Sequence, residues 1–189
     1  MNYITNYLIV LFLLLARPSA SQNIYSTDAN TEDSILAPAF KGILLNGDSI
    51  SSLDLKGKVI VLNFWGTYCK PCINEIPSLN ALTKKYKWEE VVFIAVTEQN
   101  QLTIANFFKA STTPPFLYLQ VINGIEIIKN YINAKFLVKG NDQYFYEDVR
   151  PCHIIINKKG KVIHYMQGGL EGQTKGLEQK IDEELKKKN

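Results

Sequence analysis

Cysteine is scarce in this chain, with three among 189 residues. That is too few for a disulfide-stapled scaffold, and a chain of this length can hold itself together by burying apolar surface. A long hydrophobic run is missing too. The N-terminal stretch "LIVLFLLLA", residues 8–16, has nine apolar residues, where a bilayer span needs roughly twenty. An excess of either charge is also absent: 21 Lys and Arg against 18 Asp and Glu leave a formal charge of +3. No basic stripe with interleaved aromatics runs along the chain, so nucleic acid is not an expected partner. The lysines at 186–188 close a C-terminal helical pattern, where cations suit the negative end of the helix dipole. Metal ligands are few. Beyond Cys69 and Cys72 only Cys152, His153 and His164 remain as Cys or His candidates, a poor fit to the second half of a structural zinc site.

What is present reads as one globular domain, 46% apolar and 21% charged. Residues 8–16 suit the core of a secretory signal peptide, and the small residues of "RPSASQ" offer cleavage after Ala20 or Ser21. Residues 1–20 are therefore read as a signal peptide, with an uncleaved membrane anchor as the alternative. Either places the folded part outside the cytoplasm, in the periplasm or cell envelope. Residues 21–36 are polar and aperiodic and read as a flexible lead-in. The domain proper is expected over 37–189.

Within it, Asn46-Gly47 marks a tight turn and predicts a small β-hairpin. The β-branched runs "KVIVLNFW" (58–65) and "VVFIAVT" (91–97) predict strands buried on both faces. Apolar spacings of three and four predict a helix over 70–86, kinked at Pro77. Residues 101–111 and 124–136 read as helices, and 116–122 as a strand. "CHIIIN" (152–157) and "KVIHYMQ" (161–167), joined by "KKG", read as an antiparallel hairpin. A final amphipathic helix follows. The order is βαβαβ, helix, hairpin, helix, which implies an α/β fold with a central mixed sheet and helices on both faces.

The chemistry concentrates at "NFWGTYCKPCINEIP", residues 63–77. Cys69 follows a strand and "KPC" begins a helix. A sulfur at a helix N-terminus faces unpaired N–H groups and the positive end of the dipole, which stabilise thiolate over thiol. Two intervening residues bring the second sulfur within bonding range. Cys69 is expected to be the exposed, attacking thiol and Cys72 the buried, resolving one. Pro71 fits an early helical position. Cys72 must lose its proton to resolve a mixed disulfide. Asn63 cannot act as the base, whereas Glu75, one turn beyond Cys72, can. A C-x-x-C at a strand-to-helix turn within βαβ is a far sharper signal than C-x-x-C alone.

With these residues in view, the chain resembles the thioredoxin superfamily, and within it the exported TlpA/ResA-type thiol-disulfide oxidoreductases, relatives of the AhpC/TSA redoxins. Residues 37–86 are similar to the family's "P-x-F", "G-K", "N-F-W-x-x-x-C-x-x-C" and "E-x-P" elements in order. "DVRPCHIIINKKGKVIHYMQGG" resembles its cis-proline strand and the hairpin after it. Residues 116–148 form a longer connection than the family usually has. The resemblance implies a thioredoxin-like fold with an N-terminal β-hairpin extension. It implies dithiol-disulfide exchange with protein thiols by Cys69 and Cys72, with no cofactor beyond their disulfide, recharged by a membrane-linked or soluble thiol reductant. It also implies a glutamate at the site, Glu75, a cis peptide at Pro151 that docks an extended substrate, and Trp65 packed beside the pair. By the same comparison Tyr68, Arg150 and Cys152 would meet the substrate. Arg150 stands where relatives often carry a small or β-branched residue, and would stabilise the Cys69 thiolate or select acidic partners. Cys152 stands where Thr is frequent. It reads either as a small buried residue opening a strand or as a third thiol facing the pair.

The family leaning is towards a reductase. Two other functions compete. A thiol peroxidase of the peroxiredoxin type shares the fold superfamily, but Thr67 stands two residues before Cys69 rather than three, and no matching proline precedes it. A Cu(I)-binding protein would use Cys69, Cys72 and His153, since thiolate and imidazole suit copper. It requires His153, not Cys152, to face the pair, because adjacent strand residues point to opposite faces.

Overall fold

The computed structural model describes residues 25–28, 36–132, 150–168 and 173–187, so the signal peptide or anchor expected at 1–20 lies outside the described residues. The strands are β1 (Tyr25–Asp28), β2 (Lys41–Leu44), β3 (Ser49–Ser51), β4 (Val59–Phe64), β5 (Val91–Val96), β6 (Leu119–Ile122), β7 (Cys152–Ile156) and β8 (Val162–Gln167). The helices are α1 (Lys70–Thr83), α2 (Gln101–Ala110), α3 (Ile125–Ile132) and α4 (Gln173–Lys186). All the strands join one sheet in the order β1-β8-β7-β4-β5-β6-β2-β3. Strands β4, β5 and β6 run parallel, and β7 lies antiparallel to β4. The sheet is mixed, as the element order implies.

Alternation along the central strands sorts the core into two layers. Ile60, Leu62 and Phe64 of β4 and Val92, Ile94 and Val96 of β5 pack with Ile127, Ile128 and Tyr131 of α3. Val59, Val61, Phe93 and Ala95 face the other way, onto Ile76 and Leu79 of α1, Ile104 of α2, and Leu177 and Ile181 of α4. Helices therefore cover both faces, which is why β4 and β5 carry no solvent-facing position. Among the described residues no helix is long and apolar enough to cross a membrane.

The hairpin expected at Asn46-Gly47 is β2–β3. Gly47 takes the left-handed backbone (φ 91°) that such a turn requires. Asn46 supports the turn by accepting from the Asp48 amide at 3.1 Å. The hairpin adds to the sheet at β6.

Three expectations change. Residues 25–28 are not lead-in but strand β1, paired antiparallel with β8. "YSTD" carries no alternation of apolar residues, because it is an edge strand whose partner supplies the ladder. Helix α1 ends at Thr83 rather than Tyr86. Strand β6 begins at Leu119, not 116. The segment before it is held by a side chain instead of a ladder: Asn80 of α1 donates to Pro115 O at 2.9 Å and accepts from the Leu117 amide at 2.8 Å.

Candidate active site

Strand β4 delivers the chain to the C-terminal end of the central parallel strands, where Trp65 N still bonds Val96 O of β5 at 3.1 Å. Glycine at 66 in the turn that follows leaves room for Tyr68: a Cβ there would sit 2.7 Å from its ring and turn that exposed side chain aside. Cys69 then caps α1, with Cys69 and Cys72 joined by a disulfide and their Cα atoms 5.3 Å apart. The two sulfurs are not equivalent. Cys69 is 8% exposed and Cys72 0%. The backbone N–H of Cys72 donates to Cys69 Sγ at 3.3 Å. That donor, with the positive end of α1 behind it, stabilises a thiolate at Cys69 once the bond is reduced.

One turn along α1 from Cys72, Glu75 joins a largely buried polar cluster. Asn63 and His153 stand directly opposite each other on β4 and β7. Asn63 Nδ2 donates to Glu75 Oε1 at 3.1 Å and lies 3.3 Å from His153 Nδ1. His153 Nε2 lies 3.2 Å from Glu75 Oε2. Each carboxylate oxygen of Glu75 thus has a partner from a different strand. Tyr118 is close enough to feel this carboxylate. Burial first, and the Glu75 charge second, push its hydroxyl well above the ordinary tyrosine range.

The peptide bond between Arg150 and Pro151 is cis, as the resemblance implies. Pro151 O accepts from Gly168 N at 2.9 Å, which ties the loop to the end of β8. Trp65 shares the buried cluster of both cysteines, inside a cage of Phe107, Phe108 and Phe116. Tyr68 is 64% exposed and donates its hydroxyl to Glu98 Oε1 at 2.7 Å. Thr67 is held by Gln99, whose side-chain oxygen accepts from its amide at 2.8 Å.

Two expected site residues are placed differently. Arg150 is not offered to acidic partners. Its side chain is only 5% exposed, and Nη1 donates to Glu98 Oε2 at 2.6 Å and to Trp65 O at 2.9 Å. The guanidinium also lies over the Tyr68 ring, at 5.7 Å. Its charge is matched inside the protein, where it braces the turn before Cys69. Cys152 does not face the pair. It is fully buried in the layer covered by α3, across the sheet from both sulfurs, because strand alternation gives the active-site face to His153. His153 meets the orientation that a copper site demands, but both ring nitrogens are engaged by Asn63 and Glu75. The sequence reading set aside Asn63 and missed Glu98 and Tyr118. A signal existed for Asn63 and His153: each is the polar intruder in an apolar strand, and the two strands are neighbours.

The Arg150–Glu98 pair makes a testable demand on stability. Glu98→Ala removes the carboxylate partner of a buried guanidinium, and a partly buried pair broken this way costs about 2 kcal/mol once the 27% exposure of the Glu98 side chain is allowed for. Adding Arg150→Met is expected to recover much of the loss, and chemical denaturation of the three proteins measures both.

Comparison with known proteins agrees with this geometry. The Redoxin family profile matches residues 31–181. The chain is 34% identical over 167 residues to the thiol-disulfide oxidoreductase ResA of Bacillus cereus, a match covering 88% of this chain and 84% of that protein. It is 31% identical over 169 residues to the thioredoxin-like protein YneN of Bacillus subtilis, covering 85% and 87% of the two. A thiol:disulfide interchange protein of the thioredoxin family from Chlorobium tepidum superposes with a TM-score of 0.61 at 23% identity, over 84% of this chain and 99% of that one. A putative protein disulfide isomerase from Bacteroides thetaiotaomicron gives 0.63 at 22%, over 82% and 90%. At such identities the structures speak for the fold alone. The profile and the curated relatives reach further, because they span most of the chain: it belongs to the Redoxin family, as a TlpA/ResA-like thiol-disulfide oxidoreductase of the thioredoxin superfamily.

Proposed function

We propose that the protein is exported and works as a reductase of protein disulfides, with Cys69 attacking, Cys72 resolving and Glu75 serving as the base for Cys72. The observation that carries this reading is the asymmetry of the pair: the sulfur at the helix cap has the solvent exposure and the backbone donor, and its partner has neither. Export is supported by the apolar run at residues 8–16. In the first step the Cys69 thiolate attacks a disulfide in the partner protein. A bond forms between Cys69 and one partner sulfur, and the other leaves as a thiolate and takes a proton from water. In the second, Cys72 gives its proton to Glu75 and attacks Cys69 Sγ. The Cys69–Cys72 bond forms and the second partner sulfur departs. Two electrons pass from the dithiol to the partner, and an upstream thiol reductant, membrane-linked or soluble, restores the dithiol. Pro151 and the exposed Tyr68 supply the surface beside Cys69 on which an extended substrate segment docks, and Trp65, only 1% exposed, supports that surface from within.

Equilibration with a dithiol redox buffer, using the Cys152→Ala protein so that only one couple titrates, tests the direction. A potential near that of thioredoxin, about −270 mV, fits a reductase. A value nearer about −120 mV makes the protein an oxidant and overturns the direction. The base is tested separately. Glu75→Gln removes the proton acceptor and is expected to slow release of the mixed disulfide by roughly 100-fold, the usual worth of a positioned base. Attack by Cys69, followed as formation of the mixed disulfide, should change little.

A further inference from the structure

We propose that His153 is a positioning residue for this reaction: its imidazole, held between Asn63 and Glu75, keeps the carboxylate in place to take the proton from Cys72. The inference rests on the reading of Glu75 as that base.

The hydrogen-bond chemistry is one-sided. Asn63 Nδ2 can only donate. With one N–H it serves Glu75 Oε1, and with the other it reaches His153 Nδ1. Nδ1 must therefore accept, and the ring proton sits on Nε2, where it donates to Glu75 Oε2. Three side chains from β4, β7 and α1 close a ring in which the carboxylate accepts from two sides. His153 is completely buried, and Glu75 reaches it from one turn beyond Cys72, on the face of α1 that covers the sheet. A carboxylate on a helix surface rotates freely, whereas this one is fixed by two bonds from a rigid sheet.

The ring is specific about donors and acceptors: turning the Asn63 amide would bring Oδ1, a buried atom that makes no hydrogen bond here, to face Glu75 Oε1, acceptor against acceptor. Among the described residues, Cys72 lies one turn back on the same helix, and Tyr118 ahead of β6 is close enough to feel the Glu75 charge. Met166, opposite His153 on β8, brings no charge.

The experiment follows reaction of the reduced protein with glutathione disulfide, and resolves two steps. The first is formation of the glutathione mixed disulfide at Cys69, with one glutathione thiolate leaving. The second is its resolution, in which Cys72 yields its proton to Glu75, the Cys69–Cys72 bond forms and the second glutathione leaves. His153→Phe is expected to slow the second step about tenfold, as a misplaced catalytic group does, and not the first. His153→Gln offers an amide that accepts from Asn63 and donates to Glu75. It should restore much of the rate lost in His153→Phe. A second step in His153→Phe matching the parent overturns the proposal, as does a His153→Gln protein no faster at that step than His153→Phe. Should His153→Phe not fold, Asn63→Ala, which removes the donors that orient His153 and Glu75, takes its place and is expected to slow the second step and not the first. Glu75→Gln separates the two readings. Slow resolution there with both His153 variants like the parent removes His153 only, and unimpaired resolution there removes the base and the clamp together.

Discussion

Cys72→Ser is expected to accumulate a covalent complex with a disulfide-bearing protein, whereas Cys69→Ser accumulates none and loses exchange altogether. The first variant keeps every feature that makes Cys69 reactive. The amide of residue 72 still donates to Cys69 Sγ, and the positive end of α1 still lies behind it. What is lost is the internal nucleophile. Well-oriented intramolecular groups act at effective concentrations of about 10⁵ M and above, so an external thiol at millimolar level cannot replace Cys72. Release should slow by roughly 10³-fold or more on that scale. Non-reducing electrophoresis reads the complex, and added dithiol should dissolve it. A complex formed by Cys69→Ser, or none formed by Cys72→Ser, would reverse or cancel the assigned roles.

The central layer of this fold was open to sequence reading because its strands are buried on both faces. "VIVLNF" and "VVFIAV" have no choice but to be apolar throughout. The hairpin at Asn46-Gly47 was legible for a local reason, since a turn with positive φ selects its residues. The cysteine pair was legible because its chemistry and its helix start occupy the same four residues. Strand β1 was not: an edge strand of four mostly polar residues owes its existence to β8, about 140 positions away, and carries no pattern of its own. The same separation hid the bracing of the site. Glu98 meets Arg150 across 52 positions, and His153 meets Glu75 across 78. Alternation correctly put Cys152 and His153 on opposite faces, but only the packing of α1 over the sheet decides which face holds the sulfurs. For Arg150, the departure from the family's usual residue was visible and its compensation by Glu98 was not.

Trp65→Ala should be the most damaging single change to stability outside the cysteines. The indole is 1% exposed, at the point where β4 gives way to the active-site turn. Its ring centroid lies 4.8 Å from that of Phe116 in an edge-to-face arrangement, with Phe108 at 5.9 Å and Phe107 at 6.3 Å. Phe107 and Phe108 belong to α2, while Phe116 precedes β6, so the cavity left by alanine opens between separate elements that cannot all collapse into it. Removing a buried tryptophan costs about 3–5 kcal/mol, and aromatic pairing adds to what area alone predicts. For a domain of this size that corresponds to a fall in Tm of roughly 6–20 °C. Trp65→Phe should cost far less. It keeps an aromatic ring among the phenylalanines and removes the indole N–H, which is buried with no hydrogen-bond partner. The backbone carbonyl that receives Arg150 survives both changes. The loss therefore measures packing alone, and calorimetry of the oxidised proteins reads it directly. Equal destabilisation by Phe and Ala would mean that the indole is held by something other than its aromatic cage.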